Sequence, residues 1–284
     1  MSRREACPAC SGENIKHVFV ANGYDIKRCV ACGTLFVANL PSPEALTAIY
    51  TSSNFYELQP YSIRRNEDEN LRRLKIIKRL KPGGKLLDIG CAHGLLLDQA
   101  AGQGYETFGI EPSFRYAEEA AHKGHAVFNG GLEEFAAQRP DERFDIIVCL
   151  DVIEHITAPR AFLSLAASLL SESGIMVVST PNYSGVIAKL LGAHDPYMTP
   201  PVHTVFLTAA GMRRIAAAAG LEVFRFLTFG RLVAVEMDRA VERYCPRPFH
   251  FLRPVLRPAI TFAFWMLNLM KLGLEQEIYL SRAR

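Results

Sequence analysis

The chain has 284 residues with a formal net charge of +3, and 49% of its residues are hydrophobic. This length accommodates one domain with an appendage or two domains, and the apolar content supports a sizeable core. A charge this small does not identify a nucleic-acid-binding protein. The polar start, MSRREACPAC, lacks the apolar run of an export signal, and no apolar stretch reaches the length of a membrane-spanning helix. We therefore expect a cytoplasmic protein.

Four of the seven cysteines form two paired motifs near the amino terminus, Cys7-x-x-Cys10 and Cys29-x-x-Cys32. Two such pairs supply four thiolates, which is a ligand set that suits tetrahedral zinc. Without an export signal the thiols are expected to stay reduced, which disfavours disulfides. Because four protein ligands leave no open position on the metal, the pattern predicts a structural zinc site.

Residues 1–40 are therefore predicted to form a zinc ribbon, with strands at His17–Ala21 and Leu35–Ala38. Pro41 and Pro43 then interrupt regular structure. Residues 41–81 are predicted to be a linker with amino-terminal helices, and apolar side chains recur there at helical spacing. They are Leu71, Leu74, Ile77 and Leu80.

From residue 82 to the end, predicted strands and helices alternate, which indicates βαβ units and a parallel sheet covered on both faces. The predicted strands are Lys85–Ile89, Glu106–Ile110, Val127–Asn129, Phe144–Leu150, Gly174–Ser179, Leu221–Phe229 and Glu277–Ala283. The predicted helices are Leu95–Gln103, Tyr116–His122, Arg160–Leu170 and Thr208–Ala219. The expected fold is thus α/β, with a doubly wound seven-stranded sheet in residues 82–284 and a small amino-terminal ribbon.

A helical insertion over residues 231–275 is predicted between the last two strands. From Arg239 to Lys271 it contains six basic residues and one acidic residue, interleaved with aromatic and apolar side chains. Such a segment could lie on a membrane surface or cover an amphiphilic substrate. The favoured interpretation is a lid or dimer element whose apolar face is buried against protein.

The first strand of the alternating region ends in LLDIGCAHG, residues 86–94. Ligands of open α/β sheets bind outside the carboxyl ends of the strands, and glycine-containing turns let the backbone approach them closely. The G-x-G-x-x-G pattern of dinucleotide sites is absent, as is the Gly-Lys-Ser/Thr of a P-loop. These absences argue against NAD and against a cradled phosphate.

The segment Asp88-Ile-Gly-Cys-Ala-His-Gly94 resembles the first motif of class I S-adenosylmethionine-dependent methyltransferases, with Ala92 in place of the middle glycine. Glu111 at the end of the second strand and FDIIVCLDVIEHI at 144–156 are similar to later motifs of that family. The order and spacing match from about residue 64 to 230 and again at the last strand. The resemblance implies a Rossmann-like methyltransferase sheet and S-adenosylmethionine as cofactor.

The resemblance also assigns parts of the cofactor to parts of the chain. The acid and turn of the first motif would hold its methionine end, helped by the end of the fourth strand. The acid after the second strand would accept the ribose hydroxyls, and the turn at Gly131–Glu133 would flank adenine. The implied cofactor-binding residues are Asp88, Gly90, Cys91, Gly94, Glu111, Pro112, Leu132, Leu150 and Asp151.

Two histidines are candidate catalytic residues for methyl transfer, which is an in-line displacement that needs an aligned and often deprotonated nucleophile. His155 follows the fourth strand, and His203 follows a proline-rich loop after the fifth. Histidine titrates near neutral pH and suits a general base. The alternative is that each ring only holds backbone or loop contacts.

Three functions remain open from the sequence. The first is O-, N- or C-methylation of a small-molecule or sugar-like acceptor, because the paired-cysteine module resembles the amino-terminal part of sugar C-methyltransferases. The second is RNA methylation, since some ribosomal RNA methyltransferases also carry an amino-terminal zinc ribbon. The third is a non-catalytic cofactor-binding scaffold. Residues 1–40 hold only five basic against three acidic residues, which favours the small-molecule acceptor and disfavours a nucleic-acid partner.

Overall fold

The computed structural model describes residues 2–51, 63–230 and 253–283. The strands are β1 (Ser2–Arg3), β2 (Ile15–Ala21), β3 (Tyr24–Cys29), β4 (Leu35–Val37), β5 (Asn39–Leu40), β6 (Lys85–Ile89), β7 (Glu106–Glu111), β8 (Ala126–Asn129), β9 (Phe144–Leu150), β10 (Leu170–Pro181), β11 (Val205–Phe206), β12 (Leu221–Phe229) and β13 (Glu275–Arg282). The helices are α1 (Pro43–Tyr50), α2 (Ile63–Leu80), α3 (Leu95–Ala101), α4 (Phe114–His122), α5 (Leu132–Gln138), α6 (Pro159–Ser168), α7 (Val186–Leu191), α8 (Ala209–Ala218) and α9 (Arg253–Leu269).

The main sheet has seven strands in the order β12-β13-β10-β9-β6-β7-β8. Only β13 runs antiparallel to its neighbours; the other pairings are parallel. The predicted seven-stranded α/β fold is therefore confirmed. Ile89 pairs with Ile110 on one side and Cys149 on the other. The carboxyl ends of β6, β7 and β9 thus meet at one edge of the sheet.

The central strands are buried on both faces, as expected for parallel strands covered by helices on each side. Successive side chains of a strand point to opposite faces, yet Leu86 and Leu87 of β6 are both fully buried. Ile146 and Ile147 of β9 are fully buried as well. Consecutive residues of these strands are apolar because both faces of each strand are buried.

The amino-terminal module forms a second sheet, in the order β11-β4-β3-β2. The predicted strands at His17–Ala21 and Leu35–Ala38 correspond to β2 and β4, and β3 lies between them. The fourth strand, β11, comes from the carboxyl-terminal half of the chain and pairs with β4. Backbone hydrogen bonds therefore join the module to a segment between β10 and α8 of the carboxyl-terminal half.

Helix α9 lies in the predicted insertion and packs on β12, where Thr228 Oγ1 donates to the Asn268 carbonyl at 2.9 Å. Its far side exposes a stripe of large apolar side chains. They are Phe262, Trp265, Met266, Leu269 and Met270. The basic part of the insertion at 231–252 lies outside the described residues. Within the described ranges, none of the helices combines the length and apolar character needed to cross a membrane.

Candidate active site

The turn after β6 is held in an unusual backbone conformation. Gly90 has φ +80°, Ala92 has φ +46° and Gly94 has φ +80°, all in the left-handed region. The backbone N–H groups of Gly90 and Cys91 both donate to the Ile110 carbonyl, at 2.8 and 3.2 Å. The turn therefore folds back against the end of β7, where the sequence predicts the cofactor.

Asp88 is buried at the end of β6, with 4% of its surface exposed. Burial raises its pKa to about 7, while the Arg73 guanidinium opposes the rise and Glu111 adds to it. Arg73 of α2 is buried too, and its Nε donates to Glu277 Oε2 at 2.6 Å. Sequence reasoning missed Arg73, since a charge within an amphipathic helix gives no sign of burial. Near neutral pH, a cation bound beside Asp88 would favour its ionised form.

Glu111 ties the turn to the end of β7. Its Oε2 accepts the Ala92 N–H at 3.0 Å, and its Oε1 accepts the Ser113 N–H at 2.8 Å. A carboxylate oxygen can accept two hydrogen bonds. Carboxylate oxygens at this position suit the hydroxyls of a vicinal diol, as in a ribose.

The remaining predicted cofactor residues surround the same edge. Leu150 is half-buried at the end of β9, and Asp151 follows with φ +55°. The Asp151 N–H donates to the Ser179 carbonyl at 3.1 Å, and Ser179 Oγ donates to Asp151 Oδ1 at 3.2 Å. Pro112 is exposed, and Leu132 is buried at the start of α5. The predicted set thus lies around the carboxyl ends of β6, β7, β8 and β9.

The structure brings the two candidate histidines together. His155 lies in a short 3₁₀ turn after β9, His203 lies in the loop before β11, and their ring centroids are 4.7 Å apart in an edge-to-face arrangement. His155 Nδ1 is 2.9 Å from the Val202 carbonyl oxygen, and His203 Nδ1 is 2.7 Å from that of Tyr197. Because a carbonyl oxygen only accepts, each Nδ1 donates its proton to the carbonyl that it faces.

Both imidazoles are neutral at pH 7. Burial lowers the pKa of His155 to about 4, although the carbonyls of Val202 and Asp151 oppose the decrease. Burial also lowers the pKa of His203 to about 3, and His155 adds to the effect. His155 is half-buried, whereas His203 is buried, so His155 is the more accessible of the two rings.

Glu154 completes this cluster. Its Oε2 accepts a hydrogen bond from Thr180 Oγ1 at 3.0 Å, and within the described part of the chain no donor reaches its Oε1. Burial and then the Asp151 charge raise its pKa well above the usual range, which favours the neutral acid. The ligand atoms of Glu154, His155 and His203 lie within 4.8 Å of one another. The edge of the sheet therefore holds several groups able to accept or donate protons.

The four paired cysteines converge in the amino-terminal module. The Sγ atoms of Cys7 and Cys32 are 3.6 Å apart, and those of Cys10 and Cys29 are 3.5 Å apart. Tetrahedral zinc with bonds of about 2.3 Å separates its sulfurs by roughly 3.8 Å, whereas a disulfide needs about 2.05 Å. The hydrogen bond with Cys7 lowers the pKa of Cys32 to about 4, and the same bond raises the pKa of Cys7. The four residues fit zinc.

A family model described as a methyltransferase domain matches residues 61–225, more than half of the chain. The chain belongs to this methyltransferase family. The match spans the turn after β6, Glu111 and both histidines. It confirms the family predicted from the motifs and does not test the individual site residues.

Curated relatives include ubiquinone biosynthesis O-methyltransferases. The protein from Bradyrhizobium sp. strain ORS 278 is 39% identical over 103 residues, which cover 35% of this chain and 41% of that protein. The one from Rhodopseudomonas palustris strain TIE-1 is 42% identical over 106 residues, with the same two coverages. The methyltransferase thus spans about two fifths of the length of these relatives.

Solved structures share the fold at low sequence identity. A SAM-dependent methyltransferase from Archaeoglobus fulgidus matches with a TM-score of 0.54 and 19% identity, over 76% of this chain and 94% of that one. Magnesium protoporphyrin IX methyltransferase from Synechocystis PCC 6803, with bound SAH, matches with a TM-score of 0.55 and 16% identity. The match covers 85% of this chain and 100% of that one. At these identities the likeness concerns the fold alone.

Proposed function

We propose that this protein transfers a methyl group from S-adenosylmethionine to a hydroxyl group of a small-molecule acceptor. The observation that carries the proposal is the pairing of two half-sites at one sheet edge. Asp88, the turn after β6 and Glu111 form one half, and the cluster of Glu154, His155 and His203 forms the other. The names of the curated relatives, which are O-methyltransferases, support oxygen as the acceptor atom.

The first half-site suits a cationic nucleoside cofactor. The sulfonium of S-adenosylmethionine would supply the electrophilic methyl group. Buried Asp88, with a pKa raised to about 7, gains stabilisation from a nearby positive charge. Glu111 is fixed by two backbone N–H groups and can accept ribose hydroxyls. These residues bind and orient, and they leave the proton of the acceptor to the other half-site.

The second half-site would receive the acceptor hydroxyl and its proton. A hydroxyl is a poor nucleophile until its proton leaves, and general-base help is typically worth about 10²–10⁴ in rate. We assign His155 as the base, since its imidazole is neutral and is the more accessible of the two rings. His203 packs edge-to-face against it and would position it.

We further propose that residues 1–40 form a structural zinc ribbon, that 41–81 form a linker with helices, and that 82–284 form the catalytic domain. The sulfur separations in the cysteine cluster support the zinc assignment. The ribbon would then serve the small-molecule site, because its few basic residues give RNA little to bind.

Methyl transfer can be tested without knowing the acceptor. The purified protein would be incubated with tritiated S-adenosylmethionine and either a metabolite extract or total RNA, with Glu111→Ala as control. We expect label in a small-molecule fraction for the wild type and none for the variant. Label in RNA, or a nanomolar RNA complex at physiological salt, would support the ribosomal RNA alternative, and no label in either would support a scaffold.

A further inference from the structure

The second cysteine pair of the ribbon is fixed directly against the catalytic domain. The Cys32 carbonyl accepts a hydrogen bond from Thr208 Oγ1 at 2.6 Å, and the Cys29 N–H donates to the Thr34 carbonyl at 2.9 Å. Thr34 is fully buried, and a Cβ at Gly211 would come within 2.1 Å of its Oγ1. The start of α8 therefore lies tightly against the metal-ligating turn.

Strand β4 continues this connection from the cysteines into the catalytic domain. It begins just after Cys32 and pairs with β11, with Phe36 opposite Val205. Beyond the paired residues, the Val37 N–H donates to the Thr204 carbonyl at 3.0 Å. The backbone at Thr204 is thus held by the strand that the cysteine turn starts.

Thr204 in turn holds the turn that carries the acceptor-side cluster. It is fully buried, and its N–H donates to the Glu154 carbonyl at 2.8 Å. Its Oγ1 lies 3.3 Å from the same oxygen and 3.2 Å from the Ile156 carbonyl. His203 directly precedes Thr204 in the chain. His155 lies between Glu154 and Ile156, whose carbonyl oxygens both contact Thr204 Oγ1. One threonine therefore joins both histidine segments to the ribbon.

We propose that the four-cysteine metal centre positions the acceptor side of the active site, acting through β4 and Thr204. This inference rests on the proposed function for the role of the histidines, and on zinc occupying the cysteines. The cofactor side is anchored differently, since the Gly90 N–H donates to Ile110 within the main sheet. Loss of the metal should then loosen the acceptor side of the site more than the cofactor side.

Amide hydrogen exchange on the full chain tests the coupling independently of catalysis. With zinc bound, the Val37, Thr204 and Gly90 amides should all be protected. After chelation, we expect the protection of Val37 and Thr204 to fall by about 100-fold or more, with Gly90 little changed, because locally opened segments exchange on their own. Adding zinc back should restore the protection of the Val37 and Thr204 amides. Equal loss at all three amides, or no loss at Val37 and Thr204, would overturn the proposal.

A variant at Thr204 tests its contact with the turn that carries His155 without changing the metal ligands. Thr204→Val keeps the backbone and the cysteines but loses the hydrogen bond that Oγ1 donates. We expect full zinc content, S-adenosylhomocysteine affinity within about twofold of wild type, and kcat reduced roughly tenfold. Thr204→Ser should restore kcat. The matched control is Thr228→Val, which loses a similar bond to the Asn268 carbonyl and should leave kcat unchanged.

Unchanged kcat in Thr204→Val, or an equal loss in Thr228→Val, would contradict the link. If the zinc-loaded wild type methylated no acceptor, the proposed function would fail. The exchange result on Val37 and Thr204 would still decide whether the metal centre positions that part of the chain.

Discussion

Asp88, which we propose binds the cofactor, shows how a buried acidic residue can lower the stability of the free protein. Burial raises its pKa from 3.8 to about 7, so the folded state holds the proton more tightly than the unfolded state. Stability should therefore fall as pH rises from about 4 to 7, with the full cost present above 7. A bound cation would offset this cost by favouring the carboxylate.

We predict that Asp88→Asn stabilises the cofactor-free protein at pH 8 by on the order of 2 kcal/mol, since it removes the buried charge. Arg73 would keep Glu277 as its partner. Urea unfolding at pH 5 and pH 8 measures the effect, which should be smaller at pH 5. The variant should also bind S-adenosylhomocysteine poorly. A variant that loses stability equally at both pH values would contradict the account of Asp88.

We predict that His155→Ala lowers kcat by about 10²–10⁴ at saturating cofactor, the range for general-base help. Cofactor affinity should change little, because His155 is not among the predicted cofactor-binding residues. Since the pKa of His155 is lowered to about 4, the wild-type rate should fall only as pH drops toward 4 and should not bend near 6.5. Full activity in this variant would make the histidines structural and favour an amine acceptor.

At the scale of elements, the turn after β6 provides a paired test. A Cβ at Gly90 would lie 2.5 Å from Val152 Cγ2, and its φ of +80° disfavours any side chain. Gly90→Ala should therefore destabilise the protein by roughly 2 kcal/mol and weaken cofactor binding. Ala92→Gly relieves a left-handed alanine and should stabilise it by up to about 1 kcal/mol. Thermal unfolding measures the stability of both variants, and calorimetry measures their cofactor binding. An equal loss of stability in Gly90→Ala and Ala92→Gly would show that the turn is not strained.

Most elements of the main sheet could be predicted because their signals are local. Apolar runs such as Phe144–Leu150 match β9 residue for residue. Helix α5 was not predicted, since its short pattern follows two glycines. Strand β10 begins at Leu170, where the sequence predicted the end of a helix. Propensity there favours helix, and pairing with β9 overrides it.

At the scale of the whole molecule, sequence predicted the cysteine site and the cofactor edge separately but not their connection. The pairing of β4 with β11 joins residues from opposite halves of the chain, and Val205–Phe206 is too short to give a strand signal. The burial of Arg73, Glu154 and Thr204 depends likewise on tertiary packing. Motif spacing places residues at the ends of strands, while contacts between distant segments require the structure.

We predict one zinc per chain by metal analysis. Cys29→Ser should release it and unfold the ribbon, because a preformed site seldom survives the loss of a ligand. Cys149→Ala is the control, since this buried cysteine of β9 is not one of the four clustered cysteines and its replacement should leave the zinc content unchanged. A metal-free wild type with two disulfides would contradict the assignment.

Calorimetric titration with S-adenosylhomocysteine tests the central claim most directly. If Asp88, the turn after β6 and Glu111 form a methyl-donor site, the wild type should bind one molecule per chain. Glu111→Ala should bind at least about tenfold more weakly, because it loses hydrogen bonds to the ribose. NADH should give no heat of binding. Tight NADH binding with no response to S-adenosylhomocysteine would contradict the account.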